Sequence, residues 1–159
     1  MVPIYKMDAY LEPYASTIDK RRARVIEKIE ELKCDYGSLA EFATGHEYYG
    51  LHRKESGEWV LREWAPNATR IFVIGDFSQW KEDEAFEMRR LEYGNWEFVF
   101  PQGAIAHGDK YKMSVHWNGG QGERIPAYAN RVIQNAETYV FDAQAWQPEC
   151  SFEWTDGDF

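Results

Sequence analysis

The hydrophobic period of this chain changes once, near Tyr48, and that change restricts the fold more than any other feature. Upstream, Ile18, Val25, Ile29 and Leu32, with Ala23 and Ile26 beside them, recur at the spacing of one helix face,. Lys20, Arg21, Arg24, Glu27, Lys28 and Glu31 fall opposite and are expected in water,. Ser16 followed by Asp19 reads as a capping-box start, Gly37 as a stop, and Ser38 with Glu41 as the cap of a second short helix carrying Leu39 and Phe42,. Downstream, apolar residues alternate. Strands are expected over 49–53, 58–64, 70–74, 88–91, 95–100, 110–117 and 138–141, separated by turn clusters such as Glu55-Ser56-Gly57, Pro66-Asn67-Ala68, Tyr93-Gly94-Asn95 and Asn118-Gly119-Gly120,. Trp96, Phe98 and Phe100 share one face of their strand. Tyr111, Met113, Val115 and Trp117 share a face of another, with Lys110, Lys112, Ser114 and His116 opposite,. The expected fold is all-β, an immunoglobulin-like antiparallel β-sandwich with an N-terminal α-helical segment. Its expected divisions are 1–45 for the helices, 46–143 for the sandwich and 144–159 for a linker.

The chain has 159 residues, enough for such a domain and too few for a (β/α)8 barrel of roughly 250,. Its 18 Lys and Arg against 27 Asp and Glu argue against nucleic acid or an anionic membrane as partner, since phosphates need a basic footprint,. No apolar run approaches the roughly 18 residues of a membrane span. The first residues lack a signal-peptide core, and Cys34 and Cys150 lie too far apart for a Cys-x-x-Cys pair, so a cytosolic protein with free thiols is expected,.

Residues able to carry chemistry are sparse. His46, His52, His107 and His116 have no zinc-like spacing, and no metal site is expected,. Gly119-Gly120-Gln121-Gly122 lacks the lysine and following helix of a phosphate loop,. Glu63 beside Trp64 is a candidate for one of the paired carboxylates of a glycosidase, but the plainer reading is a solvated or strand-edge acid,. Seven Trp, ten Tyr and nine Phe remain, several at turns. Exposed rings suit sugars, because the C–H face of a pyranose lies flat on an aromatic ring.

Glu63-Trp64-Ala65-Pro66-Asn67-Ala68, Gly75-Asp76-Phe77-Ser78-Gln79-Trp80, Leu91 through Glu97, His107-Gly108 and Tyr111-Lys112, in that order, resemble carbohydrate-binding module 48. Asp8 through Tyr14 ahead of the amphipathic helix, and His116 through Val132, are similar to the corresponding stretches of eukaryotic-type 1,4-α-glucan branching enzymes. The resemblance implies a glucan-binding module that is not itself catalytic. The parent enzyme cuts α-1,4 glucan and rejoins it through α-1,6 bonds on a barrel beyond Phe159, with no cofactor. The implied ligands are glycogen, amylopectin and maltooligosaccharides. The first-choice sugar residues implied are Trp64, Pro66, Tyr93, Gly94 and Asn95, with Asp35 from the helical side. A second surface, used by the related kinase-type modules, implies Trp80 and Lys112, but its second Trp is replaced by Gly122 through Pro126. Arg124, Pro126 and Arg131 are expected to dock on the barrel. The alternative is a domain that packs on the barrel without binding sugar.

Overall fold

The computed structural model describes residues 2–148 together with Cys150, Glu153, Thr155 and Gly157. The chain divides into two compact units, Met1–Gly45 and His46–Phe159.

In the first unit a 3-10 stretch, Ala9–Tyr14, is capped by Asp8, whose carboxylate accepts the Tyr10 N–H at 2.9 Å. Helix α1 follows directly over Ala15–Tyr36. The expected capping box does not form. Tyr14 occupies the cap position with no side-chain bond, and Asp19 instead accepts the Tyr5 hydroxyl at 3.0 Å. The preceding 3-10 turn supplies the helix with its nucleus, so Ser16 falls inside it. Gly37, at φ 84°, ends α1 as read, since only glycine adopts that backbone at little cost,. Ser38 Oγ accepts the Glu41 N–H at 3.1 Å and starts α2, Leu39–Phe42. Tyr36 and Phe42 meet edge to face across this turn at 5.2 Å. Of the apolar stripe on α1, Ile18, Ile29 and Leu32 are half-buried, while Val25 and Ile26 are exposed. A short helix α3, Gly45–Tyr48, leads into the sandwich.

Among the described residues nine strands follow: β1 Gly50–Arg53, β2 Trp59–Trp64, β3 Ala68–Gly75, β4 Arg89–Arg90, β5 Asn95–Val99, β6 Lys110–Trp117, β7 Gly120–Arg124, β8 Val132–Gln134 and β9 Phe141–Gln144. All pairings among them are antiparallel. One sheet has the order β1-β2-β5-β4. The other has the order β3-β6-β9-β8, with β7 also paired to β6. Between the sheets lie Leu51, Leu61, Ile71, Val73, Trp96, Phe100, Tyr111 and Met113, all buried. Burying each such side chain contributes about 1.5–3 kcal/mol.

Three departures from the sequence reading have physical causes. Residues 120–124 are strand β7, where a turn was expected at 118–120 and no strand beyond it. Gly120 and Gly122 leave room for the Trp117 ring, which lies against them. The last strand begins at Phe141, three residues later than expected. Asn135 Oδ1 accepts the N–H groups of Glu137 and Thr138, both at 2.9 Å, which folds 135–140 into a turn and frees 132–134 to pair as β8,. The expected linker over 144–159 is partly packed. Ala145 is buried, and the Trp146 ring lies 4.4 Å from His107 and under the Arg131 guanidinium at 3.7 Å. Residues 149, 151, 152, 154, 156, 158 and 159 of that segment lie outside the described residues.

Candidate functional site

β2 and β5 pair so that Trp64 stands opposite Asn95. That register brings two turns, distant in sequence, to one end of the sandwich. Trp64 is the last residue of β2, and its ring is 57% exposed. Its indole N–H donates to the Tyr93 carbonyl at 3.0 Å, which fixes the ring against the second turn. Tyr93 holds a left-handed backbone (φ 58°) and is 88% exposed. A non-glycine residue there carries strain of about 1–2 kcal/mol. Gly94 follows at φ 81°, and a Cβ on it would lie 2.7 Å from Cα and Cβ of Pro66. The Gly94 carbonyl accepts the Ala65 N–H at 2.9 Å. Asn95 donates to the Glu92 carbonyl at 3.0 Å and accepts the Tyr49 hydroxyl at 2.7 Å. Burial, reinforced by the neighbouring Tyr48 and Glu63, raises the Tyr49 phenol above its ordinary value, so the hydroxyl stays a donor,. Trp64, Pro66, Tyr93, Gly94 and Asn95 are thus brought together. A cleft of about 530 Å³ opens beside them, lined by Tyr48, Arg90, Leu91, Glu92, Tyr93 and Asn95. Asp35 lies in the last turn of α1, in the helical unit, and is exposed.

Glu63 corrects the sequence reading. It is buried, not solvated, and both carboxylate oxygens are engaged: one accepts the Trp64 N–H at 2.9 Å, the other the Ala127 N–H at 2.8 Å. Sequence reasoning also passed over Arg90, which donates to the Pro66 carbonyl at 3.1 Å, and Tyr128, which stacks on Tyr49 at 5.6 Å. For Arg90 the signal was available, since a cation beside an aromatic turn is a ready hydrogen-bond donor.

Trp80 and Lys112 also meet, on a second surface. Gln79 and Trp80 both have positive φ (54° and 60°), which turns the indole back over the sheet. Its N–H donates to Asp76 Oδ1 at 3.1 Å, and Asp76 Oδ2 accepts the Lys110 N–H at 2.9 Å. Lys112 Nζ lies 5.8 Å from the ring centroid. Lys112 was expected to contact sugar from the face of its strand opposite Tyr111, but it and Ser114 are buried. The loop after Trp80 folds over them. The ammonium pairs with Asp142 at 3.0 Å and Glu123 at 3.4 Å. Glu82 accepts the Ser114 hydroxyl at 2.6 Å and lies 2.8 Å from His116 Nε2. The Ser114 hydroxyl, helped by His116, holds the Glu82 carboxyl below its ordinary range against the opposing effect of burial.

Of the residues expected to dock on a barrel, Arg124 and Arg131 are exposed, with guanidinium groups near the Trp117 and Trp146 rings, and Pro126 is buried. Among the described residues no three His, Cys, Asp or Glu side chains are grouped to hold a metal ion. None of the described helices is long and apolar enough to cross a membrane.

A β-sandwich that presents exposed Trp and Tyr rings from turns at one end has the build of a ligand-binding module. Residues 48–129 match carbohydrate-binding module 48 (isoamylase N-terminal domain), and the chain belongs to that family. It is 37% identical over 147 residues to a 1,4-alpha-glucan-branching enzyme of Dictyostelium discoideum, covering 89% of this chain and 21% of that protein. A Yarrowia lipolytica protein of the same description is 32% identical over 160 residues, covering 95% and 23%. The chain spans about a fifth of the length of the curated relatives it matches. Among solved structures, pullulanase type I from Bacillus subtilis complexed with maltose superposes with a TM-score of 0.51 at 25% identity, over 67% of this chain and 14% of that one.

Proposed function

We propose that this chain is a non-catalytic α-glucan-binding module of a 1,4-α-glucan branching enzyme, which holds glycogen or starch chains for a catalytic barrel in glycogen biosynthesis in the cytosol. The observation that carries the reading is the pairing of Trp64 and Tyr93 through the indole-to-carbonyl bond. Two exposed rings are held on one pre-formed surface, so little ordering is required when a sugar chain lies across them. Hydrogen-bonding groups stand close by in Arg90, Glu92 and Asn95. The similarity to branching enzymes over nearly the whole chain supports the class of ligand. Glu63, the acid beside Trp64, has both oxygens taken by backbone N–H groups, which suits holding and not bond cleavage.

Isothermal titration with maltoheptaose tests this. The expected result is weak but saturable binding that falls about tenfold or more in Trp64→Ala and in Tyr93→Ala, the loss of one ring's buried surface. No heat at millimolar maltoheptaose refutes it. Unchanged glycogen affinity in both variants would transfer the surface to the alternative role, docking on the barrel.

A further inference from the structure

We infer that Trp117 is a second aromatic platform for the same glucan chain, so that the site runs past Pro66 to the β6–β7 hairpin. This inference rests on the glucan-binding reading above. Strand alternation places Trp117 on the face of β6 shared with Tyr111, Met113 and Val115, which is the face toward the opposite sheet. Tyr111 and Met113 are buried there, but Trp117 lies beyond the core at the strand's end and is 37% exposed. The ring lies along β7 at two glycines. A Cβ on Gly120 would come within 3.3 Å of its Cε2, Cζ2 and Nε1 atoms, and one on Gly122 within 3.4 Å of Cη2. Its setting is therefore fixed by backbone, with the Arg124 guanidinium carbon 5.6 Å from the ring centroid.

The rest of the ring looks into a cleft of about 460 Å³. Besides Trp117 it is lined by the turn Pro66, Asn67, Ala68 and Thr69, with Arg90 and Asn118. A second, smaller cleft of about 260 Å³ also meets Trp117, and Ala65, Ala68 and Val115 give it an apolar lining. Two clefts that share the indole and the Pro66 turn, one apolar and the other lined by amide, hydroxyl and guanidinium groups, suit a neutral polyhydroxyl chain, which presents C–H faces and hydroxyl edges in alternation,. The larger cleft is also continuous with the candidate site. Pro66 packs against Gly94, and Arg90, bonded to the Pro66 carbonyl, lines this cleft and the Tyr48–Tyr93 cleft alike. Trp117 lies on the opposite face of β6 from Lys112, so this platform is separate from the Trp80–Lys112 surface.

A chain crossing both platforms must be longer than one that satisfies Trp64 and Tyr93 alone. The test titrates the 159-residue protein with maltotriose and maltoheptaose, following the indole N–H signals of Trp64 and Trp117 by NMR and the heats by calorimetry. With maltoheptaose both indole signals should move and saturate together. Trp117→Ala should weaken maltoheptaose about tenfold and maltotriose by less than about twofold, and Trp117→Phe should keep most of the affinity. The wild-type signals need no variant to fold. If the Trp64 signal moves and the Trp117 signal does not, or if Trp117→Ala binds maltoheptaose like wild type while Trp64→Ala does not, the second platform is refuted and the first stands. Absence of binding by the wild-type protein removes both.

Discussion

Gly94→Ala tests the construction of the site most directly. At φ 81° an alanine carries backbone strain of about 1–2 kcal/mol,. Its Cβ would also sit 2.7 Å from two carbons of Pro66, well inside the 3.5–4.0 Å at which carbons pack,. Pro66 is rigid and its carbonyl is held by Arg90, so the Tyr93 turn has to move. Moving it breaks the Ala65 N–H bond to Gly94 and the Trp64 indole bond to Tyr93, at about 0.5–1.5 kcal/mol each,. The expected loss is about 2–5 kcal/mol in urea unfolding, together with loss of maltoheptaose binding. Gly119→Ala is the control. It has a similar positive φ, 95°, but nothing within 4 Å of a Cβ, so it should lose only the strain of about 1–2 kcal/mol and keep its affinity if the Pro66 contact is what matters at position 94,. Equal destabilisation in the two variants, or wild-type maltoheptaose affinity in Gly94→Ala, would refute the argument that Gly94 is required by its approach to Pro66.

Phe100→Ala should cost about 3–5 kcal/mol, read as a lower midpoint in chemical unfolding, because the side chain is 1% exposed and touches Phe77 and Phe98 at ring separations of 5.3 and 4.8 Å,. Acid should loosen the loop between Trp80 and β4. The Ser114 hydroxyl on Glu82 and the Arg70 guanidinium on Glu87 hold both carboxyls below the ordinary 4.5. Folded carboxyls more acidic than unfolded ones contribute stability that is full above 4.5 and disappears as pH falls through the folded values,. Urea midpoints should therefore fall below pH 4.5, and the fall should be shallower in Glu82→Gln/Glu87→Gln. An identical acid profile in wild type and double variant would count against it.

The parts of the fold legible in the sequence are those in which a residue's own alternation decides its face. β1, β2, β3, β5 and β6 follow from that rule, and the end of α1 follows from the positive φ that Gly37 adopts at little cost,. The parts not legible depend on what lies opposite. Gly120 read as turn, and no strand was expected at Gly122, because both are glycine for the sake of an indole, five or fewer residues earlier, that lies against their backbone. Lys112 and Ser114 alternate outward correctly, yet are buried because the loop carrying Trp80 and Glu82 covers that face. Thr138 has a strand former's side chain, but its N–H is claimed by the Asn135 side-chain oxygen Oδ1.

Within the candidate site, Tyr93-Gly94 was readable as a turn bearing an exposed ring. That it touches Trp64 depends on the β2–β5 register, which alternation alone does not set. Glu63 shows how much the period contained. In β2 the residues Trp59, Leu61 and Glu63 share one parity, and the first two point into the core, so the same rule sends the acid inward. An ionised carboxyl sent inward must find donors, and strand neighbours have given theirs to the ladder. The donors left are N–H groups of irregular backbone: Trp64 where β2 ends, and Ala127 in the segment after β7. Glu63 therefore does for the site what a catalytic acid cannot. By spending both oxygens on backbone it fixes the strand end from which the Trp64 ring projects, and it ties that end to the 124–131 segment, so that neither can shift without leaving a buried charge unpaired.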